Sequence, residues 1–252
     1  MSKETKFQSF TSPINKEDIP SMLASPFSLN PPSIAKTASL QLQGYLDSQS
    51  EWVHNFGLKP DMEGKEIGKM FGVLVVQKQN GELGYLAAFS GKLAGGNHHS
   101  IFVPPIYDSL DKEGFLNTGM KGLSVLSARI KLLEENALQN KTEITELREL
   151  RRNTSNSLQR QLFDNYHFLN VKGESKTPWE IFNYTGEKLP PSGAGECAAP
   201  KLFQYAFSNN FKPLAIAEFW WGKSTKSENQ QHGKYYPACQ EKCAAILAHM
   251  LD

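Results

Sequence analysis

Hydrophobic positions follow two different periods along the chain, and the change between them marks its organisation. Phe71-Gly-Val-Leu-Val-Val-Gln77 is apolar and β-branched, and Gly84-Tyr-Leu-Ala-Ala-Phe89 follows it. Between them, Asn80-Gly81 supplies the positive φ angles of a tight turn, so the pattern predicts a buried β-hairpin. From about Lys121 to Asn165 there is no proline, and no glycine after Gly122. Leu123, Leu126, Ile130, Leu133 and Ala137 step by three, four, three and four residues; Ile144, Leu147 and Leu158 keep the frame. A repeat of about 3.5 residues predicts a long helix with a coiled-coil seam. The alternative is a helical hairpin broken near Asn136–Asn140 or Asn153–Asn156.

The flanking regions read differently. Residues 1–50 carry Ser12-Pro13, Ser25-Pro26 and Asn30-Pro31-Pro32-Ser33 without a sustained period. They are expected to be poorly structured, with at most a short helix over Leu40–Trp52. After Gly173, the loop Leu189-Pro-Pro-Ser-Gly-Ala-Gly195 leads into a predicted helix, Ala199–Asn209. A strand over Pro213–Trp221 and a closing helix over Cys239–Leu251 follow. The expected fold is α/β, a mixed α+β body with a long helical coiled-coil or helical-hairpin insertion. Its parts are a poorly structured segment 1–50, a hairpin-containing part of the body 51–118, the helical insertion 119–168 and a cysteine-containing α/β part 169–252.

Composition narrows the function classes. The 252 residues are 39% hydrophobic and 21% charged, with a formal net charge of +1. Bulk charge therefore points to neither a nucleic acid nor a membrane, and any RNA contact has to come from a local patch. No apolar run reaches the roughly 20 residues of a membrane span. Met1-Ser-Lys-Glu-Thr-Lys6 is not followed by the apolar stretch of a secretory signal. Three cysteines do not make a disulfide framework, and a reducing cytoplasm is the expected setting.

All three cysteines lie in the last part. Cys239 and Cys243 are spaced i, i+4, which puts both thiols on one helix face. Cys197 sits where a loop enters a helix, and a helix N-terminus stabilises a thiolate. With His232 as a fourth donor the set would satisfy tetrahedral zinc; three cysteines that only pack are the plainer alternative. A zinc deaminase needs a ligand followed two residues later by Glu, then Pro-Cys-x-x-Cys. Here Glu196 precedes Cys197, and Pro237-Ala-Cys239-Gln-Glu-Lys-Cys243 has three residues between its cysteines, so both halves miss the pattern. Glu196 and Glu218 could form an acid–base pair or serve as structural carboxylates. Phe219, Trp220, Trp221, Lys223, Lys226, His232, Lys234, Tyr235 and Tyr236 interleave rings and cations as single-stranded RNA recognition requires. Trp220, Trp221, Lys223, His232, Lys234 and Tyr235 are the RNA-contact candidates. His98-His99 reads as a loop pair, and Arg148, Arg151, Arg152 and Arg160 as a solvated helix face offset by Glu143, Glu146 and Glu149.

Four segments follow one another in a familiar order: Leu162-Phe-Asp-Asn-Tyr-His-Phe-Leu-Asn170, Pro190-Pro-Ser-Gly-Ala-Gly-Glu-Cys-Ala-Ala-Pro-Lys-Leu202, Ala217-Glu-Phe-Trp-Trp-Gly222 and His232-Gly-Lys-Tyr-Tyr-Pro-Ala-Cys239. Together with Gly68-Lys-Met-Phe-Gly-Val-Leu-Val75, Ala87-Ala-Phe-Ser-Gly91 and Phe102-Val-Pro-Pro-Ile-Tyr-Asp108, they resemble the long N-terminal region of a bacterial subgroup of RluA-type pseudouridine synthases. The resemblance runs from about residue 52 onward. It implies a role in RNA modification without a metal or organic cofactor, catalysed by an aspartate of a His-Arg-Leu-Asp motif in a following synthase domain. That motif is absent from the 252 residues, so no catalytic residue is carried over. Glu228-Asn-Gln-Gln231 also stands where the family pattern often has an arginine.

The expectation is thus an accessory, non-catalytic region acting in RNA pseudouridylation, stand-alone, truncated or beside a separately encoded catalytic domain. Its expected partners are ribosomal or transfer RNA, or a pseudouridine synthase catalytic domain. Two alternatives stand beside it: a metal- or thiol-dependent, deaminase-like enzyme using the cysteine segment with zinc, and a coiled-coil interaction module that forms a homodimer through the Leu123–Leu158 seam.

Overall fold

In a computed structural model of the chain, residues 5–111, 114–182, 190–224 and 230–252 are described. The apolar hairpin forms as its pattern requires. Strand β2 (Lys69–Gln77) pairs antiparallel with β3 (Leu83–Phe89), from Phe71 opposite Phe89 to Gln77 opposite Leu83. Gly81 turns the chain at φ 87°, where its N–H donates to Lys78 O. The short β1 (Gln8–Ser9) adds to β3, while β6 (Lys212–Trp221) and β7 (Tyr235–Tyr236) extend the other side. The five-stranded order is β1-β3-β2-β6-β7, with every pairing antiparallel. A bulge shifts the β2–β6 register between Val75 and Val76, so that Pro213 rather than Leu214 faces Val76.

Both faces of this sheet are buried, which is why β2 and β6 read as nearly unbroken apolar runs. Phe71, Val73, Val75, Ala217, Phe219 and Trp221 point to one side, where they meet Ile34, Ala35, Ala38, Leu42 and Leu46 of α1 (Ser33–Ser48). This helix is the main departure from the sequence expectation for residues 1–50. Half of its buried stripe is small (Ala35, Ala38 and Ser39), with Ser39 donating back to Ala35 O at 2.8 Å, so its hydrophobic signal is weakened while its fit against the sheet is close. Leu40, expected to open a helix, is 63% exposed in its middle.

The other face carries Leu74, Val76, Leu86, Ala88 and Ile216 against α5 (Ala198–Ser208) and α6 (Gln240–Met250). The predicted helix–strand–helix order thus appears as α5, β6, α6. Between the hairpin and α5, two helices fold back on each other: α2 (Phe115–Glu134) and α3 (Lys141–Asp164). Ion pairs Arg129–Glu143 (2.9 Å) and Arg148–Glu134 (2.7 Å) straddle their turn, and Ile130, Leu133 and Ile144 are buried beneath it. The chain turns between Glu134 and Lys141, and a single uninterrupted rod does not occur. The small pair β4 (Phe168–Leu169) and β5 (Ser175–Lys176), with α4 (Pro178–Phe182), returns the chain to the body. Among the described residues, no helix is long and apolar enough to cross a membrane.

One close approach fixes how α5 sits. Gly72 lies opposite Glu218 in the sheet, and a Cβ added there would lie 2.9 Å from the Ala198 Cβ. The first turn of α5 therefore rests on bare backbone. Gly72→Val is expected to lower unfolding stability by about 1–3 kcal/mol through overpacking, measured by urea denaturation; an unchanged midpoint would contradict the close contact.

Candidate functional site

Three separate pieces of backbone bring the cysteines together. The loop before α5 turns through Gly193 (φ 76°) and Gly195 (φ 85°), and Ala194 N donates to Pro191 O. Gly195 passes so near Phe168 that a Cβ would lie 2.6 Å from its ring, which places Cys197 at the N-cap of α5. Pairing of Tyr236 with Glu218 and of Tyr235 with Phe219 sets the direction of the chain into Pro237-Ala238. Ala238 N donates to Pro26 O at 2.9 Å, and Cys239 becomes the N-cap of α6. Cys243 lies one turn later and is fully buried. The three sulfurs all lie within 4.8 Å of one another, close enough to hold a metal ion.

Hydrogen bonding and backbone donors make the three thiols unequal. The bonds from Cys197 and Cys243 to the Cys239 sulfur push its pKa down to about 2, with the backbone N–H groups of Lys242 and Cys243 helping. Cys197 moves strongly upward, first because it donates to Cys239. On Cys243 the bond with Cys197 acts downward, but the bond to Cys239 and burial outweigh it and leave the thiol at about 12. Without a metal, negative charge therefore concentrates on Cys239. The N-terminus of α6 faces it through the Lys242 and Cys243 N–H groups, and partial positive charge there favours a thiolate.

Two further charged groups border the thiols, and sequence reasoning missed one of them. Lys201 is 3% exposed; its Nζ sits 3.2 Å from Phe89 O, 3.3 Å from Gly91 O and 3.6 Å from Glu196 Oε2. Burial lowers its pKa, against the pull of Glu196, Cys197 and Cys243. Its i, i+4 spacing from Cys197 was the available signal, since that spacing shares a helix face. Tyr166, also missed, is buried and donates its hydroxyl to Glu196 Oε1. Glu218 is 4% exposed and accepts the Ala199 N–H at 2.9 Å. The two acids thus answer to different partners.

The other candidates fall elsewhere. His232 is outside the thiol group: its Nδ1 accepts from Gly222 N at 3.1 Å and its ring lies 4.3 Å from that of Trp221, on the α1 side of the sheet. Trp221 is 5% exposed and Trp220 7%, with Trp220 Nε1 donating to Lys223 O. Their rings are engaged in packing, which leaves no open face for a base to stack on. Lys223, paired with Glu66, and Lys234 are exposed, and Tyr235 is half-buried. Lys226 and Glu228-Asn229 lie outside the described residues, as does Leu189. His98 bonds Asp108 at 2.8 Å and His99 bonds Leu93 O at 3.0 Å, so that pair divides between two structural contacts. Arg148 pairs with Glu134, Arg151 donates to Ser127 and Arg160 lies over the Trp179 ring.

Burial raises the Glu218 carboxyl to about 8 from the ordinary 4.5. The folded state then holds a proton that the unfolded chain has released, so stability falls as pH rises from about 4.5 to about 8, by up to about 1.4 kcal/mol per unit. Glu218→Gln, neutral at every pH and still an acceptor for Ala199, is expected to flatten that slope in chelator-treated protein. Urea unfolding across this range checks it, and parallel curves would contradict the buried neutral carboxyl. No protein-family model matches the chain, and neither does any curated protein or solved structure.

Proposed function

We propose that this chain is an accessory, non-catalytic part of an RNA pseudouridylation apparatus of the RluA type, acting by contact with ribosomal or transfer RNA. The observation that carries this reading is the convergence of the four ordered segments on which the resemblance rests. Tyr166 bonds Glu196, Gly195 rests on Phe168, Glu218 holds the Ala199 N–H, and His232 takes the Gly222 N–H. Segments spread over some seventy-eight positions, Leu162 to Cys239, thus meet around two faces of one strand, β6. A fold that uses them jointly explains why they occur together and in order. The absence of a His-Arg-Leu-Asp motif supports an accessory role over a catalytic one.

With Trp220 and Trp221 buried, RNA contact falls to the exposed cations and ring edges at the end of β6 and the start of β7: Lys223, His232, Lys234 and Tyr235. Such contacts address phosphates more than bases, which makes binding salt-dependent and weakly selective. A catalytic synthase domain, in the same polypeptide or a separate one, completes the apparatus, and the cytoplasm is its setting.

A second reading is favoured by one observation, the gathering of three thiols within 4.8 Å. On it the cysteine segment is a metal- or thiol-dependent centre, with zinc as the cofactor that three thiolates favour.

Two measurements test the accessory reading. Purified chain incubated with ribosomal and transfer RNA is expected to form no pseudouridine, and turnover would overturn the non-catalytic assignment. Ultraviolet cross-linking in cells is expected to recover structured RNA, and Lys234→Ala to reduce the salt dependence of log K by about one unit of slope. Recovery no higher than for an unrelated protein of similar charge would sink the RNA contact.

A further inference from the structure

The thiol centre combines features that packing alone does not require. A cluster of three neutral thiols is an adequate small hydrophobic core on its own. Here the thiols stand at the N-termini of two eleven-residue helices, with Cys197 capping α5 and Cys239 capping α6. Gly195 N–H faces the Cys243 sulfur, and Lys242 and Cys243 N–H groups face Cys239. Lys201 is buried on the same side, where an ammonium costs several kcal/mol of desolvation unless negative charge compensates it. Glu196 at 3.6 Å supplies part of that compensation, and Tyr166 already engages its other oxygen. Backbone donors from the α5-side loop and from α6, with one buried lysine, thus gather about the sulfurs, as they would around thiolates rather than thiols.

Three thiolates in contact repel one another and need a cation among them. Four-coordinate zinc with Zn–S bonds near 2.3 Å holds its sulfurs roughly 3.8 Å apart. The sulfurs here, all within 4.8 Å, would draw in by at most about 1 Å, within the reach of χ1 adjustments. They are too close to frame a cluster of several irons. Soft thiolates also exclude magnesium and calcium, which take oxygen donors. Among the described residues, no fourth His, Cys, Asp or Glu belongs to the group. Cys239 is only partly buried, so solvent has a route to the remaining position.

We propose that Cys197, Cys239 and Cys243 are the three protein ligands of one zinc ion, seated between the N-termini of α5 and α6, with its fourth position open to water or an exogenous ligand. This deepens the second reading above and is independent of RNA contact. The ion would tie three segments distant in sequence to one point, so its loss loosens α6 and the Gly193–Cys197 loop together. Binding exchanges the thiol protons for the metal, the protons passing to solvent, with no change of oxidation state.

The test uses the full chain purified under reducing conditions without added metal. Elemental analysis is expected to find roughly one zinc per chain, and chelation to lower the thermal midpoint reversibly. Cobalt added to the chelated protein should give intense thiolate-to-cobalt charge-transfer bands together with tetrahedral visible bands. Cys239→Ser, at the more exposed ligand, should weaken zinc binding at least about 100-fold while the far-ultraviolet circular dichroism stays native. Lys201→Met, which leaves all three ligands in place, should weaken it by about tenfold. Zinc below about a tenth of an equivalent, with no cobalt–thiolate bands, would overturn the proposal, and so would copper in its place. Metal-free protein in which Cys239 alkylates rapidly or forms a disulfide with Cys197 would also overturn it, while leaving the thiol-centred second reading standing.

Discussion

Glu218 places a carboxyl group on β6, an inner strand of the five-stranded sheet, where it accepts the Ala199 N–H at 2.9 Å. That bond ties the first turn of α5 to β6, and it forms only because Gly72, opposite Glu218, leaves room for Ala198 to come down onto the sheet. Much of the remaining architecture follows from this docking. The start of α5 sets Cys197; the same stretch of β6 pairs with β7, and β7 sets Cys239. Helix α6 then packs Cys243, Ile246, Leu247 and Met250 into the core that α5 opens. A buried polar group is costly unless bonded, and here its one backbone donor orients a helix that carries the chemistry.

The two faces of β6 divide the two proposed sites. Odd-numbered positions from Ala217 to Trp221 face α1, where His232 lies against Trp221 and the exposed lysines lie nearby. Ile216 and Glu218 face α5, the thiols and Lys201. Strand alternation therefore separates the residues suited to phosphate from those suited to a soft metal. The two proposed sites therefore lie on opposite sides of the sheet.

How far the sequence discloses this depends on the kind of signal. Strands β2, β3 and β6 and helices α5 and α6 are legible because apolar runs and turn residues such as Asn80-Gly81 act locally. The three cysteines are legible as a group because two sit at helix starts and two at i, i+4. Helix α1 is not: Ala35, Ala38 and Ser39 make up half of its buried face, beside Ile34, Leu42 and Leu46, and small residues carry little hydrophobic contrast. Trp220 and Trp221 read as an exposed aromatic cluster, yet strand alternation buries one on each face, which composition cannot reveal. His232 is near the cysteines in sequence and on the other side of the sheet in space. Lys201 and Tyr166 escape notice because a lysine in an amphipathic helix and a tyrosine after one look ordinary until the thiols and Glu196 are beside them.

Docking of α5 onto β6 is proposed to assemble a three-thiolate metal centre. X-ray absorption at the zinc edge of the purified, reduced protein measures the coordination shell directly. A three-thiolate zinc site gives about three sulfurs near 2.3 Å and one lighter donor near 2.0 Å. A shell made only of nitrogen and oxygen, or no protein-bound zinc in the sample, would contradict it.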